Sequence, residues 1–260
     1  MDERKFSSDD IVNVACELLV ALHKKRPRVH CITNAAAQVM TANLLLAAGA
    51  LPSLTYSADE ISDFTKSADA LLINLGTLDA ERRAAIPLAI EVARDQETPW
   101  ILDPVFVNAS APRLFWANQL FASRPAIVRC NRDEFKALSG QTCELTAIER
   151  FAAFWGTTVA VTGPEDMIIG DGQCIHIRNG HPWMNQTTAM GCAGTALSAA
   201  LCAVGASPFV AASAALLILG ITGERAADRS SGPGSFVAAF IDTIASLTPD
   251  DIIASARISA

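Results

Sequence analysis

An α/β chain with a mainly parallel central sheet is predicted by three observations. Strand-length apolar segments alternate with helix-length segments as far as Gly163. Several strand segments are apolar without a break, as in Ala70-Leu71-Leu72-Ile73-Asn74-Leu75, the pattern of a strand covered on both faces. The connections between segments are short, as right-handed βαβ units require. With 51% apolar and 18% charged residues in 260, the chain needs no disulfide or metal to hold a core.

In order, an amphipathic stretch at 9–24 opens the chain. Strand patterns follow at 29–33, 51–56, 70–76, 100–105, 126–130 and 157–163, with helical segments between them at 38–48, 80–94, 113–122 and 146–155. The rhythm then changes, because 167–169 and 174–177 flank Gly170-Asp171-Gly172, an Asp-Gly signal for a hairpin. Beyond it the pattern reads as helices only. No linker, internal repeat or low-complexity tract interrupts the sequence, so one domain over 1–260 is expected.

Composition and missing motifs exclude several classes. Twenty-seven acidic against 20 basic residues, net −7, with no basic block beyond Lys24-Lys25-Arg26-Pro27-Arg28, argue against a nucleic-acid partner. The seven cysteines form no C-x-x-C pair and no zinc-like cluster, and the chain opens Met-Asp-Glu-Arg-Lys without an apolar leader. Reduced thiols and a cytoplasmic protein are expected. Residues 179–223 carry no charge, but Gly191, Gly194, Gly205 and Pro208 divide them, so two buried helices near 191–204 and 209–221 are expected rather than a membrane span. The P-loop, the Rossmann G-x-G-x-x-G, H-E-x-x-H and G-x-S-x-G are all missing.

In a parallel sheet, ligands gather beyond the carboxyl ends of the strands. Four polar strand ends stand out: Thr33-Asn34, Asp103-Pro104-Val105, Arg129-Cys130-Asn131 and Thr162-Gly163. Each also has a plain structural explanation, since Asp, Asn and Gly end strands and cap helices. Asp103 is the hardest to explain that way, because a carboxylate after Trp-Ile-Leu is costly in the sheet interior and comfortable at a site rim. Asn131 and Glu134, three apart, share a face of an opening helical turn and together with Asp103 suit a hydrated magnesium ion. Thr187 to Gly194 precede a long uncharged helix whose N-terminal amides and dipole favour a phosphate. A cysteine in that first turn, Cys192, is expected to have a depressed pKa. A small thiol filling a helix contact explains the same residue.

Ordered motifs across nearly the whole chain resemble the hydroxyethylthiazole kinase family of the ribokinase-like superfamily. They are Val29-His30-Cys31-Ile32-Thr33-Asn34, Thr41-Ala42-Asn43, Asn74-Leu75-Gly76-Thr77-Leu78, Asp103-Pro104-Val105, Val161-Thr162-Gly163, Asn179-Gly180-His181-Pro182 and Gly232-Pro233-Gly234-Ser235-Phe236. The resemblance implies a three-layer α/β/α ribokinase-like fold, ATP with Mg²⁺, and phosphorylation of the primary alcohol of 4-methyl-5-(2-hydroxyethyl)thiazole in thiamine salvage. It also implies a homotrimer with sites between subunits.

By the same resemblance, Arg129, Thr162, Asn131 and Gly191 would contact the ATP phosphates, and Asp103 with Glu134 would hold the metal. Cys192 would sit catalytically by the substrate hydroxyl, with Asn34, Leu54 and Gly191 on the acceptor side. His30 lies in that segment too, although a strand histidine also serves as packing. Departures fall at Ala189 and Met190, where the family usually has Gly and Thr, at Phe106-Val107-Asn108, where it has Gly-Ala-Gly, and at Leu54, where it has Met. These put the acceptor's identity in question, and a kinase for another small heteroaromatic alcohol or a nucleotide-binding relative without turnover stays open. Hydrate dehydratases share the superfamily fold but usually have Asp where Cys192 stands.

Overall fold

The computed structural model describes residues 5–260, so the charged opening Met1 to Arg4 lies outside the described residues. Helix α1 (Ser8–Lys25) starts at a capping box in which Ser7 and Asp10 exchange hydrogen bonds. It leads into β1 (Arg28–Ile32), α2 (Gln38–Ala47), β2 (Leu51–Ser53), α3 (Ile61–Lys66), β3 (Ala70–Asn74), α4 (Ala80–Asp95) and β4 (Trp100–Asp103). The alternation continues with α5 (Ala111–Leu120), β5 (Ile127–Asn131), α6 (Arg132–Ser139), α7 (Leu145–Trp155) and β6 (Thr158–Thr162). A hairpin of β7 (Asp166–Gly170) and β8 (Gln173–Ile177) turns at Asp171 and Gly172, both left-handed as the Asp-Gly signal demands. The remainder is α8 (Met190–Ala203), α9 (Pro208–Asp228), α10 (Pro233–Ser246), α11 (Pro249–Ser255) and β9 (Ile258–Ser259).

All nine strands form one sheet in the order β2-β1-β3-β4-β5-β6-β7-β8-β9. The six strands from β2 to β6 in that order run parallel, and the last three are added antiparallel. Three layers follow from the two-residue period of the strands. Val29, Cys31, Leu72, Ile101, Ile127 and Ala160 face a core shared with α1, α2, α8, α9 and α10. The residues between them, such as Leu71, Ile73, Leu102, Val128 and Val159, face a second core with α4, α5, α6 and α7. Both faces being covered explains the unbroken apolar runs.

The expected elements occur, with physical reasons for the differences. The second strand stops at Ser53, because β2 is an edge strand and its continuation peels away toward α3, so Leu54 stands beyond it. Two short helices, α3 and α6, fall below the length at which periodicity is readable in sequence. The C-terminus is not purely helical: Ile258 and Ser259 pair with β8. The uncharged segment becomes α8 and most of α9. Of the described helices α9 alone is long and apolar enough to cross a membrane, and 89% of its most apolar window is buried inside the molecule.

His30 illustrates the cost of a polar residue in such a sheet. It is fully buried, its Nδ1 is 2.7 Å from Ser53 Oγ, and its Nε2 has no hydrogen-bond partner. Burial pulls its pKa down to about 4, against weaker opposing effects from the Thr55 backbone and Glu60. The unfolded chain therefore binds a proton below about pH 6.5 that the folded chain refuses until about pH 4. Stability from this residue is lost as pH falls through that window, by about 3 kcal/mol at most. Melting temperatures between pH 7 and 4.5 should accordingly fall more steeply for the wild type than for His30→Gln. Asp166, raised to about 6 by burial, titrates in both proteins and cancels in the difference. Parallel curves would show that the imidazole is not kept neutral.

Candidate active site

The carboxyl ends of β1, β3, β4, β5 and β6 line up along one edge of the sheet, and the strand order reverses at β1, whose neighbours are β2 and β3. That switch point is where α/β sheets open a crevice. Asn74 and Asp103 are register partners across β3 and β4, and Asn131 and Thr162 are partners across β5 and β6. Because Ile101 and Ile127 face the α8 side, Asp103 and Arg129, two residues on, face it as well.

A continuous chain of buried hydrogen bonds occupies this edge. The thiol of Cys192 accepts from Asn34 Nδ2 at 3.2 Å, and the same Nδ2 donates to Asn74 Oδ1 at 3.0 Å. Asn74 Nδ2 donates to Asp103 Oδ2 at 2.9 Å, and Thr195 Oγ1 on α8 donates to that oxygen at 2.8 Å. The loop carrying Asn34 is fixed from behind by Arg82 of α4, only 2% exposed, whose Nε donates to the Thr33 carbonyl at 2.9 Å. Its guanidinium lies 3.8 Å from the Tyr56 ring centroid and pairs with Asp79.

The positive side of the site is Arg129 with the start of α8. No side chain caps α8, which leaves the first-turn amides open to an anion. A Cβ at Gly191 would come within 2.6 Å of Arg129 Nη1, so glycine is what lets the guanidinium lie against the helix terminus. Thr162 stands at the end of β6 with its hydroxyl 3.4 Å from the Cys130 carbonyl.

Cys192 departs from expectation. Burial raises its pKa to about 11 and the Asp103 carboxylate adds to the rise, outweighing Asn74, Arg129 and Asn34, which favour the thiolate. Desolvation of the anion beats the helix terminus, so the depressed pKa expected from sequence is corrected to a raised one, and the group is a thiol at neutral pH.

Asp103 is 2% exposed, and burial raises its pKa, with the Glu134 charge adding and Arg129 opposing. Glu134, 6% exposed, closes a capping box with Asn131: Asn131 Oδ1 accepts from Glu134 N at 2.8 Å, and Glu134 Oε2 accepts from Asn131 N at 2.9 Å. Its other oxygen accepts from Phe106 N at 2.7 Å. Two buried carboxylates that repel each other, each with lone pairs to spare, fit a hard, oxygen-seeking cation between them. Among the described residues no three His, Cys, Asp or Glu side chains surround one point.

Of the residues singled out from sequence, Asn34, Asp103, Arg129, Asn131, Glu134, Thr162, Gly191 and Cys192 all lie at this edge. Leu54 packs against the α8-side core beyond β2. Asn34 has both N–H bonds committed within the protein, and its Oδ1 accepts from Ala37 N at 3.0 Å. Asn74, Thr195 and Arg82 were missed as members of the site. The parity of β3, which points Asn74 to the same side as Asp103, was the available signal for the first.

A sheet in this order, covered by helices on both faces, is a ribokinase-like α/β/α fold. A ribokinase-like superfamily protein from Enterococcus faecalis shares the fold with TM-score 0.70 at 15% identity, over 96% of this chain and all of that one. The hydroxyethylthiazole kinase family model matches residues 19–250. A probable hydroxyethylthiazole kinase of Agrobacterium fabrum is 43% identical, covering 94% of each chain, and a hydroxyethylthiazole kinase of Granulibacter bethesdensis is 40% identical, covering 95% of each. The hydroxyethylthiazole kinase structure from Pyrococcus horikoshii superposes with TM-score 0.89 at 31% identity, over 95% of this chain and 98% of that one. The chain belongs to the hydroxyethylthiazole kinase family.

Two departures from the family pattern carry backbone strain. Ala189, the N-cap of α8, has φ 70°, and Phe106 has φ 58°, both left-handed. An L-residue there costs about 1–2 kcal/mol, part of which glycine returns in unfolded-state entropy. Ala189→Gly and Phe106→Gly should each stabilise the fold by about 1 kcal/mol, measured by denaturant unfolding. Destabilisation of both would show that the side chains contribute more than their backbones cost.

Proposed function

We propose that the protein transfers the terminal phosphoryl group of ATP to the primary alcohol of 4-methyl-5-(2-hydroxyethyl)thiazole, a step of thiamine salvage, in a single catalytic domain. The observation that carries this reading is Cys192, held at the N-terminus of α8 between Arg129 with Gly191 on one side and Asn34, Asn74 and Asp103 on the other. A phosphoryl group at the helix terminus has beside it a sulfur that can hold the acceptor hydroxyl in place.

Arg129, Thr162, Asn131 and the first amides of α8 bind the phosphates and hold the transferring group in line. Asp103 and Glu134 would hold Mg²⁺, which would supply charge neutralisation to the phosphates. Cys192 orients the acceptor hydroxyl; carrying its own proton at neutral pH it cannot take a second, so it acts as a base only after giving that proton to solvent and standing as the thiolate. The loose transition state of phosphoryl transfer asks little of a base early on, so orientation is the larger share of its role. Leu54, Asn34 and Gly191 form the acceptor side, where few free polar groups favour a flat neutral ring over a sugar. Phe106, 62% exposed beside Val105 and Val107, adds bulk on this edge and favours a second reading, a kinase for a related heteroaromatic alcohol.

A homotrimer in the cytoplasm completes the proposal. The exposed Val39 (73%) and Leu46 (54%) on α2 support a subunit contact, and light scattering that finds a monomer would count against it.

ATP consumption with the thiazole alcohol, against a panel of small heteroaromatic alcohols, is the deciding assay. Fastest turnover with the thiazole supports the first reading, another alcohol the second, and none sinks both. With the correct acceptor, Asp103→Asn and Glu134→Gln should each reduce Mg²⁺-dependent turnover far more than melting temperature. Equal losses would favour a purely structural, capping role. Phe106→Gly should also quicken turnover of the thiazole alcohol.

Cys192→Ala should lose about 10²–10⁴-fold in turnover, and Cys192→Asp should keep substantial activity because a carboxylate is also a proton acceptor. Iodoacetamide labelling of Cys192 should be slow near neutrality and climb through pH 9–11, following the raised pKa. A plateau reached below about pH 8 would restore the depressed value expected of a thiol at a helix terminus.

A further inference from the structure

Asn74 is fully buried and sits between the two ends of the hydrogen-bond chain. Its orientation is settled by the backbone. Gly76 N donates to Asn74 Oδ1 at 3.0 Å, so a flipped amide would set an N–H against an N–H there and an oxygen against the Asp103 carboxylate. Asn34 is fixed in the same way by Ala37 N on its Oδ1, which turns both hydrogens of its Nδ2 toward Asn74 and Cys192. The Asp103 carboxylate receives an N–H of Asn74, the Cys192 thiol receives an N–H of Asn34 with Asn74 also close enough to favour its anion, and the two amides are bonded to each other.

We propose that Asn74 is a positioning residue for phosphoryl transfer, setting the Asp103 carboxylate at one end and, through Asn34, the Cys192 sulfur at the other, in fixed relation to each other. This deepens the proposed function and rests on it. Asp103 Oδ2 accepts from both Asn74 and Thr195, so the other oxygen is the one that would face a cation. Asn34 Nδ2 cannot follow the sulfur elsewhere without giving up Asn74. Backbone placement at the end of a central strand makes the arrangement stiff, since β3 is paired on both sides.

The test compares Asn74→Ala with Thr195→Val, which removes a bond to the same Asp103 oxygen but touches neither Asn34 nor the thiol. Both should lower kcat, Asn74→Ala by about 10²-fold, with KM for ATP held within about a factor of three. Only Asn74→Ala should change the iodoacetamide alkylation rate of Cys192, severalfold, at one fixed alkaline pH and without ATP or acceptor. An alkylation rate equal to wild type in Asn74→Ala, or a kcat loss that merely tracks its melting temperature, overturns the proposal. Should Asn74→Ala not fold, Asn34→Ala replaces it, since it removes the Asn34 donor from the thiol and leaves Asp103 bonded. The same alkylation change with Thr195→Val unchanged supports the bridge, and no change overturns it. Alkylation needs no turnover, so failure of the thiazole assay in the wild type sinks the functional reading and leaves this result standing.

Discussion

A carboxylate buried at the end of a central strand sets the terms for everything around it. Asp103 is almost without solvent, and an ionised group in such a place is tolerable only with hydrogen bonds and opposite charge at hand. The surroundings supply them from four directions: Asn74 from the adjacent strand, Thr195 from the helix above, Arg129 from across β5, and the backbone of Val105. Glu134 works against the ionised form, so the protein alone leaves the charge incompletely compensated. An arrangement optimised for stability would not place a second buried carboxylate there; one that receives a cation and phosphates would.

The same edge stores strain in its backbone. Phe106 follows Asp103 by three residues and Ala189 precedes Cys192 by three, and both are left-handed. Each is held by a neighbour that over-determines it: the Phe106 amide is tied to Glu134 Oε1, and the Ala189 carbonyl accepts from Ala193 N as the first bond of α8. Arg113 adds a clamp, donating to the Val105 carbonyl at 2.7 Å and to the Gly76 carbonyl at 3.1 Å, which joins the loops after β3 and β4. Strain concentrated where loops meet a site is the usual trade of stability for geometry.

Much of this was legible in the sequence because strands covered on both faces write their period and their ends plainly. Asp103 stands out after Trp-Ile-Leu for that reason, and the Asn131 and Glu134 spacing announces its capping box. Other features depend on tertiary distance. Asn74 looks like any residue closing an apolar run until β4 is laid beside β3, and Thr195 looks like a helix-interior threonine until α8 is laid over β4. The pKa of Cys192 was misread because local sequence shows the helix terminus but neither the burial nor the carboxylate that the fold brings near. Arg82 is the clearest case, since nothing in Asp79-Ala80-Glu81-Arg82-Arg83 says that one arginine of the pair is buried under the Thr33 carbonyl and the other is on the surface.

The raised pKa of the thiol and the raised pKa of Asp103 are two faces of one electrostatic balance. Both groups are raised chiefly by burial, both are acceptors for a linked pair of amides, and the Asp103 carboxylate adds to the rise at the thiol. Positive charge near Asp103 relieves both at once. Arg129 already contributes in that sense to each, and it lies against Gly191 where phosphate would draw it. Burial, with the Asp103 carboxylate adding to it, therefore keeps Cys192 a thiol at neutral pH, slow to alkylate because its anion is costly. Its proton affinity is set first by burial and then by the carboxylate at the other end of the amide pair, so a buried negative charge two hydrogen-bonded amides away is what the thiolate has to contend with.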